Sequence, residues 1–87
     1  MKRAKLNGHS GIAEAVGRSL NDYLAALDGE PADNLYELFI GSVEKTLLTD
    51  VLARTKGNQS EAAGMLGINR NTLRAKLDKH KIKLPPS

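Results

Sequence analysis

The 87-residue sequence has no cysteine and no tryptophan, and only one phenylalanine, two tyrosines and three prolines. Without cysteine there is no disulfide framework, thiolate metal site or cysteine nucleophile. The shortage of aromatics leaves Leu, Ile, Val and Ala to build the core. No apolar run approaches the roughly 20 residues that a bilayer-spanning helix requires. The opening Met1-Lys2-Arg3-Ala4-Lys5 is basic, but no apolar stretch follows before Gly8-His9-Ser10. A secretory signal is therefore not expected, and the cytosol is the expected compartment. What remains is globular in composition, at 40% hydrophobic and 26% charged, unlike the low-apolar chains that stay disordered. At this length a single core is marginal for a monomer, and a partner subunit is one remedy.

The net charge of +3 conceals a strong asymmetry. Residues 1–10 carry Lys2, Arg3 and Lys5. Over residues 11–50, Arg18 and Lys45 face eight carboxylates (Glu14, Asp22, Asp28, Glu30, Asp33, Glu37, Glu44 and Asp50), for a net of −6. Residues 70–87 set Arg70, Arg74, Lys76, Lys79, Lys81 and Lys83 against Asp78 alone, for a net of +5. A cationic block behind an acidic body attracts polyanions. Charge by itself favours the plainer reading of a solvated basic face with no partner.

The apolar spacing is helical throughout, with no period-two alternation, so an all-α fold is expected. Ile12, Val16, Leu20, Tyr23, Leu24 and Leu27 mark a first helix that Ser10 can cap and Asp28-Gly29 can end. Asn34-Leu-Tyr-Glu37 has the form of a capping box for a second helix running to Lys56, with Gly57 at the left-handed position beyond it. About 23 residues at 1.5 Å each make it ~34 Å long. Most of its apolar residues span an arc of roughly 160°, with Leu38, Leu48 and Leu52 outside it. One antiparallel neighbour does not cover so wide a face. A second copy of the chain does, and a symmetric dimer is expected ahead of cover from within the chain.

The last thirty residues hold two short helices. Asn58-Gln-Ser-Glu61 repeats the Asn-x-x-Glu start signal, with Ala62, Ala63 and Leu66 facing inward. Gly67 stops that helix, Asn69 caps the next, and Leu73 and Leu77 form its inner stripe. Ile82 and Leu84 close the pattern before Pro85-Pro86. A short helix, a glycine turn and a second helix with a basic outer surface describe a helix-turn-helix, although most αα-hairpins bind no DNA. The start of the last helix is more discriminating. Glu37 and Glu61 occupy the third position of their helices, but Thr72 occupies it here. Asn69, Arg70, Asn71 and Thr72 make a donor-rich start without a carboxylate, which suits an anion. Arg70 has the reach to read guanine O6 and N7, and Arg74, Lys76 and Lys79 suit phosphate. Ala75 and Asp78 near the centre of the outer face reduce the electrostatic share.

The segments Leu35-Tyr36-Glu37-Leu38, Val43-Glu44, Leu47-Leu48, Thr55-Lys56-Gly57-Asn58-Gln59, Ala62-Ala63 and Gly67 through Leu77 resemble the Fis family of bacterial nucleoid proteins, over about Leu20 to Lys81. The resemblance implies a homodimer of four-helix subunits. Their first two helices form an intertwined core, and the last two form a DNA-binding unit that bends the duplex and reads its shape. Residues 1–10 have no apolar period and are expected to be a mobile basic arm; on the family pattern 11–56 are the dimerisation helices, and 57–87 the helix-turn-helix with a short tail. The implied DNA contacts are Asn58, Ser60, Asn69, Arg70, Thr72, Arg74, Lys76 and Lys79, with Gln59 and Asn71 beside them completing the candidate set. The implied dimer interface takes Leu20, Leu24, Leu27, Leu35, Tyr36, Phe39, Ile40, Val43 and Leu47. The implied setting is the cytoplasm and nucleoid, and RNA polymerase is a further partner the resemblance allows.

Three departures from the family pattern stand out. No hairpin signal precedes the first helix, so the recombinase contact made by the hairpin of enteric members is not expected. A family proline that kinks the second helix is Thr46, which predicts a straighter helix, and two family lysines of the last helix are Ala75 and Asp78. The same helix-turn-helix ends NtrC-type activators, making the dimerisation and operator-binding domain of such an activator the alternative. A chain opening at Met1 without an ATPase domain points to the Fis-like reading. A protein-interaction dimer is a third reading, and RNA binding a weak fourth for want of stacking aromatics.

No catalytic, cofactor or metal site is expected. His9 and His80 have no paired ligands and read as solvent-exposed or phosphate-proximal. Glu44 and Asp50 read as surface charges, and Tyr23 and Tyr36 as interface packing.

Overall fold

A computed structural model describes residues 6–83, with side chains from residue 11 onward. It contains four α-helices: α1 (Leu6–Leu27), α2 (Leu35–Arg54), α3 (Gln59–Leu66) and α4 (Arg70–His80). No strand occurs among the described residues, in line with the all-α expectation. The chain divides between Asp33 and Asn34 into two units, the first holding α1 and the second α2, α3 and α4.

In the first unit, α1 begins at Leu6, so Ser10 lies inside the helix and does not cap it. Of the basic arm, residues 1–5 fall outside the described residues, as do Leu84 and Pro85-Pro86. The helix ends where expected. Asp28 (φ 51°) and Gly29 (φ 91°) turn the backbone into the left-handed region, and the Glu30 amide donates to the Leu27 carbonyl at 3.0 Å. Ile12, Val16 and Leu24 of α1 are exposed.

In the second unit, α2 starts after Asn34, but not through the anticipated capping box. Asn34 has φ 57° and ψ 32°, and its side chain makes no cap hydrogen bond. An N-cap side chain reaches the amides of the first turn from extended backbone; a left-handed residue directs it elsewhere. The helix runs unbroken through Thr46 and ends at Arg54, two residues short of the expected Lys56. Lys56 (φ 55°) and Gly57 (φ 83°) are both left-handed, which ends the helical path. The Lys56 amide donates to Ala53 and the Gly57 amide to Leu52, at 3.2 and 2.9 Å, satisfying carbonyls of the last turn. Buried Thr55 secures this corner: its hydroxyl lies 3.3 Å from the Leu52 carbonyl oxygen and 3.2 Å from that of Asn58.

The core of this unit is Leu48, Val51 and Leu52 from α2, Ala62 and Ala63 from α3, and Leu73 and Leu77 from α4. Leu48, Leu52 and Leu73 retain 2%, 1% and 0% of their exposure. Two of these three, Leu48 and Leu52, are residues that lie outside the main apolar arc of α2. Val51 sits at the edge of that arc, so the buried stripe of Leu48, Val51 and Leu52 adjoins it, with its centre about 100° from that of the exposed residues at the helical step. Tyr36, Ile40, Val43 and Leu47 on the arc are exposed, at 75%, 48%, 47% and 50%. The end of α2 therefore shares one core with α3 and α4, across the boundary expected after Lys56.

Candidate nucleic-acid interface

The α3–α4 pair has the geometry of a helix-turn-helix because each end is terminated locally. Asn58 is extended (φ −76°, ψ 103°), and its Oδ1 accepts the Glu61 amide at 3.0 Å. Ala62 and Ala63 are buried with no side chain beyond Cβ, which allows close approach of the partner helix. Gly67 adopts φ 74°, and its amide and that of Ile68 both donate to the Ala63 carbonyl, at 2.9 and 3.1 Å. A Cβ at Gly67 would meet nothing within 4 Å, so the requirement for glycine is conformational and not steric. Asn69 is then extended (φ −72°, ψ 145°) and caps α4, its Oδ1 accepting the Asn71 amide at 2.7 Å.

Leu73 and Leu77 pin the inner face of α4. The opposite and flanking faces carry Arg70, Asn71, Thr72, Arg74 and Lys79, all exposed, as are Asn58, Ser60 and Asn69 at the helix starts. The first turn of α4 holds no acidic residue, whereas that of α3 holds Glu61. Ala75 and Asp78 share the exposed face. Gln59 is half-buried. Arg70, Asn71, Thr72 and Arg74 thus leave the start of α4 exposed and rich in donors, with no carboxylate in its first turn.

Lys76 and His80 are placed differently. Both turn to Glu44 on α2: Lys76 Nζ donates to Oε2 and His80 Nε2 bonds to Oε1, each at 2.7 Å. The side chains of Glu44, Lys76 and His80 are 22%, 35% and 9% exposed. Glu44 is thus more than a surface charge, and His80 is enclosed instead of open to solvent. The hydrogen bond with His80, and then that from Lys76, hold the Glu44 carboxyl at about 2, below its ordinary 4.5, against the opposing effect of burial. A shallow groove of about 300 Å³ beside the cluster is lined by Tyr36, Glu37, Ile40, Gly41, Glu44, Lys79 and His80. Sequence reasoning missed the cluster, although one signal was present. Leu73, Leu77 and His80 recur at steps of four and three, which places His80 on the inner stripe of α4. Among the described residues no group of His, Asp and Glu side chains is arranged to hold a metal ion.

Comparison with known proteins gives a consistent result. Residues 39–80 match a family model described as "Bacterial regulatory protein, Fis family". The chain is 49% identical over 69 residues to the DNA-binding protein Fis of Photobacterium profundum, covering 79% of this chain and 70% of that protein. With the same coverage it is 51% identical to the DNA-binding protein Fis of Actinobacillus succinogenes and 48% identical to that of Haemophilus influenzae.

Proposed function

Because the chain belongs to the Fis family of bacterial regulatory proteins, we propose that it is a DNA-binding transcriptional regulator whose α3–α4 unit enters the major groove. The observation that carries this reading is the exposed start of α4. Arg70, Asn71, Thr72 and Arg74 stand together on a helix whose cap, turn and inner face are all fixed from within the chain. Arg70 is the base reader, since a guanidinium presents the paired donors that match guanine O6 and N7. Arg74 and Lys79 contact phosphate. Asn58, Gln59, Ser60, Asn69, Asn71 and Thr72 position the two helix starts against the backbone of the duplex. With few base readers, much of the sequence preference resides in how readily the duplex deforms.

The regulator acts as a homodimer that bends DNA. The exposed Tyr36, Ile40, Val43 and Leu47 on one side of α2 support this reading, because an apolar helix face is unfavourable in water without a cover, and Leu24 of α1 is exposed as well. Leu20, Leu27, Leu35 and Phe39, each half-buried within one chain, join them in the interface. No described helix is long and apolar enough to cross a membrane. The cytoplasm and nucleoid are the proposed setting, with RNA polymerase as a further partner.

A mobility shift on AT-rich duplexes of two lengths, together with sedimentation, tests both parts. Arg70→Ala is expected to weaken binding by roughly 1–3 kcal/mol and to relax base preference. An unchanged affinity would remove Arg70 from the role of reader.

A further inference from the structure

We propose that Glu44 is a positioning residue that holds Lys76 as a strut between α2 and α4, and so withdraws it from the cations that neutralise DNA phosphates. The inference rests on the DNA-binding reading above and concerns which cations of α4 take part.

Lys76 lies three residues after Leu73 and one before Leu77, at the border between the inner and outer faces of α4. From that border its four-carbon stem extends either outward to a phosphate or inward to α2. Glu44 decides the direction. It stands one turn before Leu48 on the buried side of α2, where it extends the apolar contact with Leu77 by a polar one. Both carboxylate oxygens are engaged, Oε2 by Lys76 and Oε1 by His80, at 2.7 Å each. Charge-assisted bonds of this length are the strong kind, and here they are partly shielded from solvent. The Lys76 ammonium therefore already has an anionic partner before DNA arrives. Moving it to a phosphate would exchange one such bond for another and leave Glu44 with His80 alone. Arg70, Arg74 and Lys79 make no such ion pair among the described residues and lie exposed, so they are the cations free to displace counterions condensed on DNA.

Tyr36 and Glu37 from α2 and Lys79 from α4 line the groove beside the cluster. None comes between Glu44 and its two donors, whose direct contacts are at hydrogen-bond distance.

The test is the slope of log affinity against log salt for duplex DNA, measured on the full chain. Each phosphate neutralised contributes roughly 0.9 to that slope. Lys76→Gln is expected to leave the slope unchanged even if affinity at one salt concentration falls through loss of the strut. Glu44→Gln frees the ammonium and is expected to steepen the slope by roughly 0.9 for each α4 engaged. In the Glu44→Gln/Lys76→Gln double variant the slope returns to the wild-type value. A wild-type chain with no salt-sensitive duplex binding overturns the DNA-binding reading itself. A wild-type chain that binds, with a slope that drops by about one phosphate in Lys76→Gln, overturns only the strut. Helix content by circular dichroism checks each variant. If Glu44→Gln does not fold, the Lys76→Gln slope alone decides.

Discussion

The two apolar faces of α2 are built from the same residue types and meet opposite fates. Leu48, Val51 and Leu52 are enclosed by Ala62, Ala63, Leu73 and Leu77, while Tyr36, Ile40, Val43 and Leu47 are open to solvent within one chain. The difference shows that composition along a helix does not state which face a chain will cover for itself. The buried stripe belongs to the core shared with α3 and α4, and the open one has no cover within one chain. Each face is open to separate attack.

The largest effect is expected inside. Leu52→Ala removes most of a side chain that is 1% exposed, and should destabilise the chain by roughly 2–5 kcal/mol in denaturant titrations. A loss below 1 kcal/mol would mean that the end of α2 is not part of this core. On the open face, Leu47→Ala should weaken self-association by about 1–2 kcal/mol per copy in sedimentation equilibrium, reflecting the methyl and methylene groups no longer buried. An unaltered association constant would assign that face to solvent or to another partner. Between the two lies the turn. Gly67→Ala imposes φ 74° on an L side chain and should cost roughly 1–2 kcal/mol, even though a Cβ there has open space. If the midpoint does not move, the turn must have adopted another backbone path.

The smallest effect sharpens the polar end of the buried stripe. Folding lowers the Glu44 carboxyl from 4.5 to about 2. Its contribution to stability is therefore complete above pH 4.5 and is lost as pH falls through about 2. The stability difference between wild type and Glu44→Gln should accordingly shrink between pH 5 and pH 2.5. A difference that stays constant over that window would show that the carboxylate is not held by Lys76 and His80. Partial exposure of Glu44 keeps the expected change modest.

Two segments that share one start signal behave differently in the fold. Asn-x-x-Glu occurs at Asn34 and at Asn58. At Asn58 the backbone is extended and the side chain caps α3; at Asn34 the backbone is left-handed and no side-chain cap forms. The residue types permit a cap, but the direction from which the chain enters determines whether one is made. Gly67, Asn69 and the inner pair Leu73 and Leu77 were legible because their signals act within a turn or two. Ser10 does not cap α1, because the helix continues upstream to Leu6. The bonds from Glu44 to Lys76 and His80 span 32 and 36 positions, so no local period connects them.

The helical class, the glycine turn, the caps at Asn58 and Asn69 and the cationic block of α4 all follow from interactions among near neighbours along the chain. Which face of α2 is enclosed, and which cation of α4 is held by Glu44, emerge only when the helices pack. Those outcomes depend on how helices distant in sequence pack together, and packing brings into contact residues that the chain itself keeps far apart.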